Sequence, residues 1–178
     1  MSNTGSDHPD RTSDPNPNTP QAILQKYFDE YDYQIFRLLN NNGRISDTEL
    51  AEQIGLSRTA VRRRREKLQD SDILEILAVI VLQEANLADA DILVKFDQQG
   101  SSENRDQFIE KLIDEELIYR VNSCMGEYDL LFSLWHSTLN DLKEYLWELF
   151  DGEDAVKEYS VVPLVKTWKA WNKELNRP

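Results

Sequence analysis

Cysteine is almost absent from this 178-residue chain, with Cys124 standing alone. A single thiol makes no intrachain disulfide, so the fold must rest on its core and its hydrogen bonds. Histidine occurs only as His8 and His136, and a lone histidine with no second one at helical spacing argues against a metal site. Apolar runs are short: none is long enough to span a bilayer. A basic stretch leading into an apolar one, the mark of a secretory signal, is also missing. A soluble cytoplasmic protein with no cofactor is therefore expected. Lysine is scarce as well, at nine residues.

What the chain has in excess is acid, with 33 Asp and Glu against 20 Lys and Arg and a net charge of −13. Residues 76–178 hold 20 of those acids and 10 of the bases. One reading is an acidic binding surface. The other, which we favour, is a solvated surface suited to a salt-rich cytoplasm. Against this background, residues 57–68, SRTAVRRRREKL, concentrate five arginines and one lysine around a single acid, Glu66.

Periodicity divides the chain into four stretches. Residues 1–20 are Pro, Asn, Ser, Thr and Asp with almost nothing apolar, so they are expected to stay disordered. Residues 21–72 read as three helices. Asp32 is expected to cap a helix over residues 33–40, with Ile35, Phe36, Leu38 and Leu39 as its apolar face. Ser46 and Glu49 form a capping-box pattern for the second helix, which Gly55 closes. Ser57 caps the third. Residues 73–82, ILEILAVIVL, are apolar and β-branched and read as a strand within a linking segment, residues 73–88.

Residues 89–178 then alternate strand, helix, strand, strand, helix, strand, at residues 92–96, 103–115, 118–124, 129–135, 140–150 and 156–168. That order predicts an α+β protein whose second domain is a ferredoxin-like βαββαβ sandwich. Pro163 inside the last strand points to a bulge or an edge. Trp135, Trp147, Trp168 and Trp171 are expected in the core or at a subunit interface.

A basic helix entered from a shorter helix through a glycine turn is how a helix-turn-helix presents its recognition helix to DNA. On a helical wheel Val61 and Leu68 define the buried stripe. Arg58, Thr59, Arg62 and Arg63 are the base-contact candidates, because arginine's planar fork matches guanine O6 and N7. Arg64, Lys67 and Arg44 are expected to hold phosphates. Arg64 and Arg65 flank the stripe on either side and are expected to snorkel outward. An ordinary solvated basic helix is the competing reading, and the capping box, Ala51, Gly55, Ser57 and Val61 at helix-turn-helix spacing weigh against it.

At this point the chain resembles the Lrp/AsnC (feast/famine) transcription regulators, particularly archaeal ones. The resemblance is carried by DEYDYQIFRLL from Asp29, DTELAEQIGLSRTAVRRRREKL from Asp47, and GEYDLLFSL from Gly126. It implies a DNA-binding domain, a connecting strand and a ferredoxin-like domain that pairs subunits into dimers or larger assemblies. It also implies a small effector, commonly an amino acid, at the loop of Cys124, Met125, Gly126, Glu127, Tyr128 and Asp129. There Gly126 would admit a close backbone approach. Asp129 and Glu127 would accept hydrogen bonds from an amino group. Two departures stand out: Arg65 replaces a usual aliphatic residue, and Glu127 with the acidic residues 151–154 is unfavourable to a free carboxylate. Without the resemblance, residues 126–129 read as a plain hairpin turn and Cys124 as a small core residue.

The function expected is sequence-specific transcription regulation, not enzyme catalysis. Two other classes compete with it. Related domain pairs occur in haem-pathway decarboxylases, but an anionic tetrapyrrole needs a basic, histidine-bearing pocket, and the second half of this chain has only His136. A domain that serves oligomerisation alone is the other.

Overall fold

The computed structural model describes residues 17–171 and 173–175, and residues 1–16, which hold most of the predicted tail, lie outside them. The predicted tail runs too far, because Thr19 and Pro20 belong to a helix. Thr19 caps α1 (Pro20–Leu24), accepting from the Ala22 N–H at 3.2 Å, and Pro20 occupies the first turn, where a missing N–H costs nothing.

The chain forms two compact units, the first ending at Leu77 and the second beginning at Ala78. The first contains α1, α2 (Glu30–Asn41), α3 (Asp47–Ile54) and α4 (Arg58–Asp70). Its core gathers Phe28, Ile35, Leu39, Ile45, Leu50, Ala51, Val61, Leu68 and Leu74. The cap of α2 is Asp29, not Asp32. Asp29 accepts from the Asp32 N–H at 2.9 Å, and the Asp32 carboxylate reaches back toward the Asp29 N–H at 3.4 Å. Asp32 is thus the third residue of a capping box and is almost wholly buried.

Residues 73–82 are the clearest departure from expectation, since they hold no strand. A strand needs a partner ladder, and a β-branched run does not supply one. Leu74 and Ile76 instead pack on the first core, while Ile73, Leu77, Val79 and Ile80 stay exposed.

The second unit is built on a four-stranded antiparallel sheet in the order β2-β3-β1-β4. The strands are β1 (Ala88–Phe96), β2 (Ile118–Ser123), β3 (Leu130–His136) and β4 (Val156–Pro163), with α5 (Ser102–Asp114) and α6 (Leu139–Phe150) between them. Alternation assigns the faces. Ala90, Ile92, Val94, Leu130, Phe132 and Leu134 share one core with Phe108 and Leu112 of α5 and Leu142, Leu146 and Leu149 of α6. Both helices therefore cover the same face, and the architecture is the ferredoxin-like α+β fold that the sequence predicts.

The opposite face carries a polar network. Arg120 donates to Asp91 at 2.9 Å and to the fully buried Ser133 hydroxyl, which itself donates to Asp91. Beside it Tyr119 donates to Asp89 at 3.0 Å, and burial chiefly, with the Asp89 charge added, pushes its phenol up to about 12.

Pro163 ends β4, an edge strand, so the predicted strand over residues 156–168 is too long. Proline sits there without removing a ladder bond from the sheet interior. Beyond it lies a short separate hairpin, β5 (Lys169–Ala170) with β6 (Lys173–Glu174). Trp147, Trp168 and Trp171 are exposed rather than in the core. No helix among the described residues is long and apolar enough to cross a membrane.

Candidate nucleic-acid interface

The turn that presents α4 is specified residue by residue. Ser46 accepts from the Glu49 N–H at 3.2 Å, and Glu49 accepts from the Ser46 N–H at 2.9 Å, so α3 opens on a closed capping box. Those bonds from Ser46 hold the Glu49 carboxyl below the usual carboxylate range. Gly55 ends α3 in the left-handed region at φ 73°, with its N–H bonded to the Ala51 carbonyl at 3.0 Å. A Cβ there would meet nothing within 4 Å, so glycine is required for its backbone and not for space. Two residues on, Ser57 caps α4 by accepting from the Ala60 N–H at 3.2 Å.

Burial then sorts the side chains of α4. Val61 and Leu68 are buried, as the wheel predicts. Arg58, Thr59, Arg62, Arg63, Glu66 and Lys67 are exposed, and all the base-contact candidates fall in this set. Arg62 donates from Nε to Glu66 at 2.8 Å, an exposed i,i+4 pair. So exposed a pair contributes little, and a nucleic-acid oxygen can compete for it. Arg44 is exposed ahead of α3.

Arg64 and Arg65 behave differently from the rest. Arg64 Nη1 donates to Asp29 Oδ2 at 2.6 Å and to Asp32 Oδ1 at 2.7 Å. Its guanidinium also lies 5.4 Å from the Tyr31 ring centroid. These carboxylates raise the Arg64 pKa further, the Asp32 hydrogen bond most. Partial burial works against the Asp29 carboxylate, yet the Asp32 N–H and Arg64 together hold it below its ordinary range. So the guanidinium expected to hold a phosphate is occupied within the protein, tying α4 to the capping box of α2. Arg65 makes a similar tie to Asp47 at 3.2 Å. Its flanking position lets the stem pack while the head reaches a carboxylate on α3. Nothing in the sequence points to the Asp29, Asp32 and Arg64 cluster, whose members lie 32 and 35 positions apart.

In the second unit the loop of residues 124–129 joins β2 to β3. Cys124 is half-buried, Met125 and Glu127 are exposed, and Gly126 adopts φ 133°. Asp129 closes the loop: its carbonyl accepts from the Cys124 N–H at 2.8 Å, and its N–H donates to Val94 at 2.9 Å. Its Oδ2 accepts from the Phe96 N–H at 2.9 Å, where β1 slips register against β4. Tyr128 and Ser160 share a hydroxyl hydrogen bond of 3.2 Å. The loop is thus a sheet-anchored turn with an exposed tip. An open cleft of about 540 Å³ lies elsewhere, lined by Trp147, Glu148, Phe150, Asp151 and Tyr159.

Known proteins share both parts of this architecture. The AsnC-type helix-turn-helix domain matches residues 28–69, which span α2, α3 and α4. An uncharacterized helix-turn-helix-type transcriptional regulator of Pyrococcus horikoshii is 31% identical over 138 residues, covering 78% of this chain and 87% of its own length. The transcriptional regulator LysM of Saccharolobus solfataricus is 25% identical, over 79% of this chain and 95% of its own. Among solved structures, a Neisseria meningitidis transcriptional regulator in complex with L-Met superposes with a TM-score of 0.73 at 22% identity, covering 85% of this chain and 96% of its own. Escherichia coli AsnC superposes at 0.67 with 19% identity, covering 79% and 93%. Those structures share the fold, the Pyrococcus protein shares the sequence across both units, and α4 lies inside the matched domain: this chain belongs to the Lrp/AsnC family of DNA-binding transcription regulators.

Proposed function

We propose that the protein is a cytoplasmic, sequence-specific regulator that reads duplex DNA through α4 as a homodimer and is modulated by a small effector. The observation that carries the DNA reading is the division of α4 into two arginine sets. Arg58, Arg62 and Arg63 face solvent with Thr59, whereas Arg64 and Arg65 are tied to carboxylates of the same unit. The first set reads base edges in the major groove. Arg44 and Lys67 hold phosphates, and Arg64 positions the helix instead. The dimer forms through residues 76–178. Exposed Leu77, Val79 and Ile80 and the sheet edges β2 and β4 are the surfaces that need cover.

For the effector we assign the turn of residues 124–129. The Neisseria relative's complex with L-Met supports an amino-acid-like ligand. Glu127 adds negative charge to the exposed tip, which favours a ligand bearing an amino group. Asp129 already anchors the turn to Phe96, so its role is to shape the site.

Selection of bound sequences from a random DNA pool tests the DNA reading. A palindromic consensus is expected, since two-fold protein symmetry imposes two-fold symmetry on the site. In Arg62→Ala and Arg63→Ala the consensus should lose definition, at about 1–3 kcal/mol per base contact. Lys67→Ala should weaken all sequences alike. Uniform losses in every arginine variant would defeat the division into readers and holders. For the effector, Glu127→Gln should weaken the ligand response and leave basal DNA binding intact.

A further inference from the structure

The last fifteen residues reverse the chemistry of the unit they end. Four of them are basic and one is acidic, in a half of the chain where acids otherwise dominate. They also carry Trp168 and Trp171, 49% and 58% exposed, and Val165, 92% exposed. Lys166 stands 4.1 Å over the Trp168 ring. Lys169 and Lys173 are exposed on β5 and β6.

Two features of this hairpin bear on what it presents. It forms a separate two-stranded sheet, and an isolated hairpin of that size is marginal in water without a surface to pack on. At the end of β5, Trp171 adopts φ 47°, a left-handed conformation unfavourable for any residue with a Cβ. It opens the two-residue turn between the paired Ala170 and Lys173, where such a hairpin needs positive φ, and the turn holds an indole out at the tip.

The same unit carries a surface of complementary chemistry. The 540 Å³ cleft has walls of Trp147, Phe150 and Tyr159 and an acidic rim of Glu148 and Asp151. Neither rim carboxylate has an ion pair among the described residues. Phe150 and Tyr159 stack face to face there, with ring centroids 4.0 Å apart. The cleft lies at the C-terminal end of α6, whose last turn has no basic residue to meet the negative end of the helix dipole. Lys143 already places its ammonium 4.8 Å from the Trp147 ring centroid, so that wall accepts a cation. Among the described residues, none of the chain's own hairpin lines this cleft.

We propose that the hairpin of residues 164–175 docks into this aromatic, acid-rimmed cleft on a second copy of the chain. Indole rings enter the cleft, and Lys169 and Lys173 meet Glu148 and Asp151. Aromatic side chains at the centre and charges at the rim are how protein interfaces divide the work. Duplex DNA matches the charge but offers no apolar cleft for two indoles. Because hairpin and cleft are different patches, two copies related by a two-fold axis make the contact twice, and other arrangements build larger assemblies. The proposal stands apart from the assignments of α4 and of residues 124–129.

Sedimentation velocity of the full chain over a range of concentrations reads the contact, and circular dichroism confirms that each variant is folded. Lys169→Glu with Lys173→Glu should weaken self-association at least tenfold, as should Glu148→Lys with Asp151→Lys. Combining all four substitutions restores the charge match and should bring association back to within about threefold of the parent. Trp171→Gly relieves the backbone strain while removing the ring, and should also weaken association about tenfold. The proposal is overturned if the hairpin charge reversal leaves association unchanged, if the fourfold variant is no better than either pair, or if the parent does not self-associate. A hairpin variant that loses DNA affinity at unchanged oligomer size would assign the hairpin to duplex DNA and likewise overturn it.

Discussion

In the unit that ends at Leu77, the two half-buried arginines of α4 each have carboxylate partners on another helix or its cap. In the unit that begins at Ala78, acids outnumber bases two to one, and some, such as Glu148 and Asp151, have no ion pair among the described residues. The contrast shows two uses of charge. Basic charge is scarce, so its placement is a structural decision made by named partners. Acidic charge is plentiful and mostly spread over solvated surface, where individual charges contribute little to stability. One unit should therefore be sensitive to the loss of single ionic groups, and the other to the loss of apolar volume.

Breaking the second unit's core gives the largest expected effect. Phe132 is fully buried between β-sheet and helices, and Phe132→Ala should cost about 3–5 kcal/mol. All four tryptophans lie beyond Ala78, so tryptophan fluorescence during urea unfolding follows this unit specifically. The fluorescence midpoint should fall sharply. A change below about 1 kcal/mol would mean that the sheet core tolerates a cavity that its packing does not permit.

Arg64→Ala comes next and probes the first unit's ionic tie. Asp32 is 4% exposed in its side chain, and removing its cation leaves a buried carboxylate unpaired. Breaking a fully buried pair costs about 3–5 kcal/mol; Arg64 is a quarter exposed and Asp29 half exposed, so about 2 kcal/mol is the sharper expectation. Arg62→Ala, which removes a fully exposed pair, should leave stability essentially unchanged. Hydrogen exchange resolved to α2 and α4 measures both. Equal effects would erase the distinction between positioned and solvated arginines.

Gly55→Ala is smaller again. With no steric neighbour within 4 Å, its expected cost of about 1–2 kcal/mol is purely that of the left-handed backbone. Helical ellipticity during thermal unfolding reads it. A neutral result would show that the turn relaxes to another conformation.

Acid gives the smallest and most discriminating effect. Asp29 and Glu49 have depressed carboxyls, so their stabilisation is complete above the unfolded value of about 4 and is lost as pH falls through the folded one. Asp89 is the opposite case, because burial chiefly raises it. Its folded form binds a proton more tightly, so its contribution is present at low pH and is lost as pH rises through the raised value. Between pH 6 and pH 3 exchange protection should decline in α2 and α3 before it declines in the centre of β1. Simultaneous loss in both would remove the contrast.

Local chemistry made much of this legible in the sequence. The Ser46 capping box, Gly55 and the Ser57 cap rely on residues within three positions, and the structure holds each as expected. The strand and helix order of the second unit follows from alternation and helical stripes. What stayed illegible depends on distance or choice. Asp29 and Asp32 both suit a cap, and tertiary packing, which buries Asp32, decides between them. Residues 73–82 look like a strand because β-branching records preference and not the presence of a partner. The guanidinium of Arg64 is indistinguishable in sequence from its neighbours, since its carboxylates come from another helix and its cap. The last hairpin lies beyond the predicted strand, which Pro163 cuts short, and its two-residue strands are too brief to leave an alternation in the sequence.

The tie at Arg64 also has a mechanical meaning. Arg64 lies near the middle of α4, six residues from Arg58, or about 9 Å along the axis at 1.5 Å per residue. If the helix pivoted about that tie by 10°, the leading arginine would swing on the order of 1.5 Å by lever geometry. The whole working range of an N–H···O hydrogen bond is only about 0.5 Å. A single guanidinium nitrogen gripped by two carboxylates of one capping box therefore acts as the fulcrum of α4. The direction in which α4 presents Arg58 is set some 9 Å away, by a buried acid of α2 and the acid that caps it.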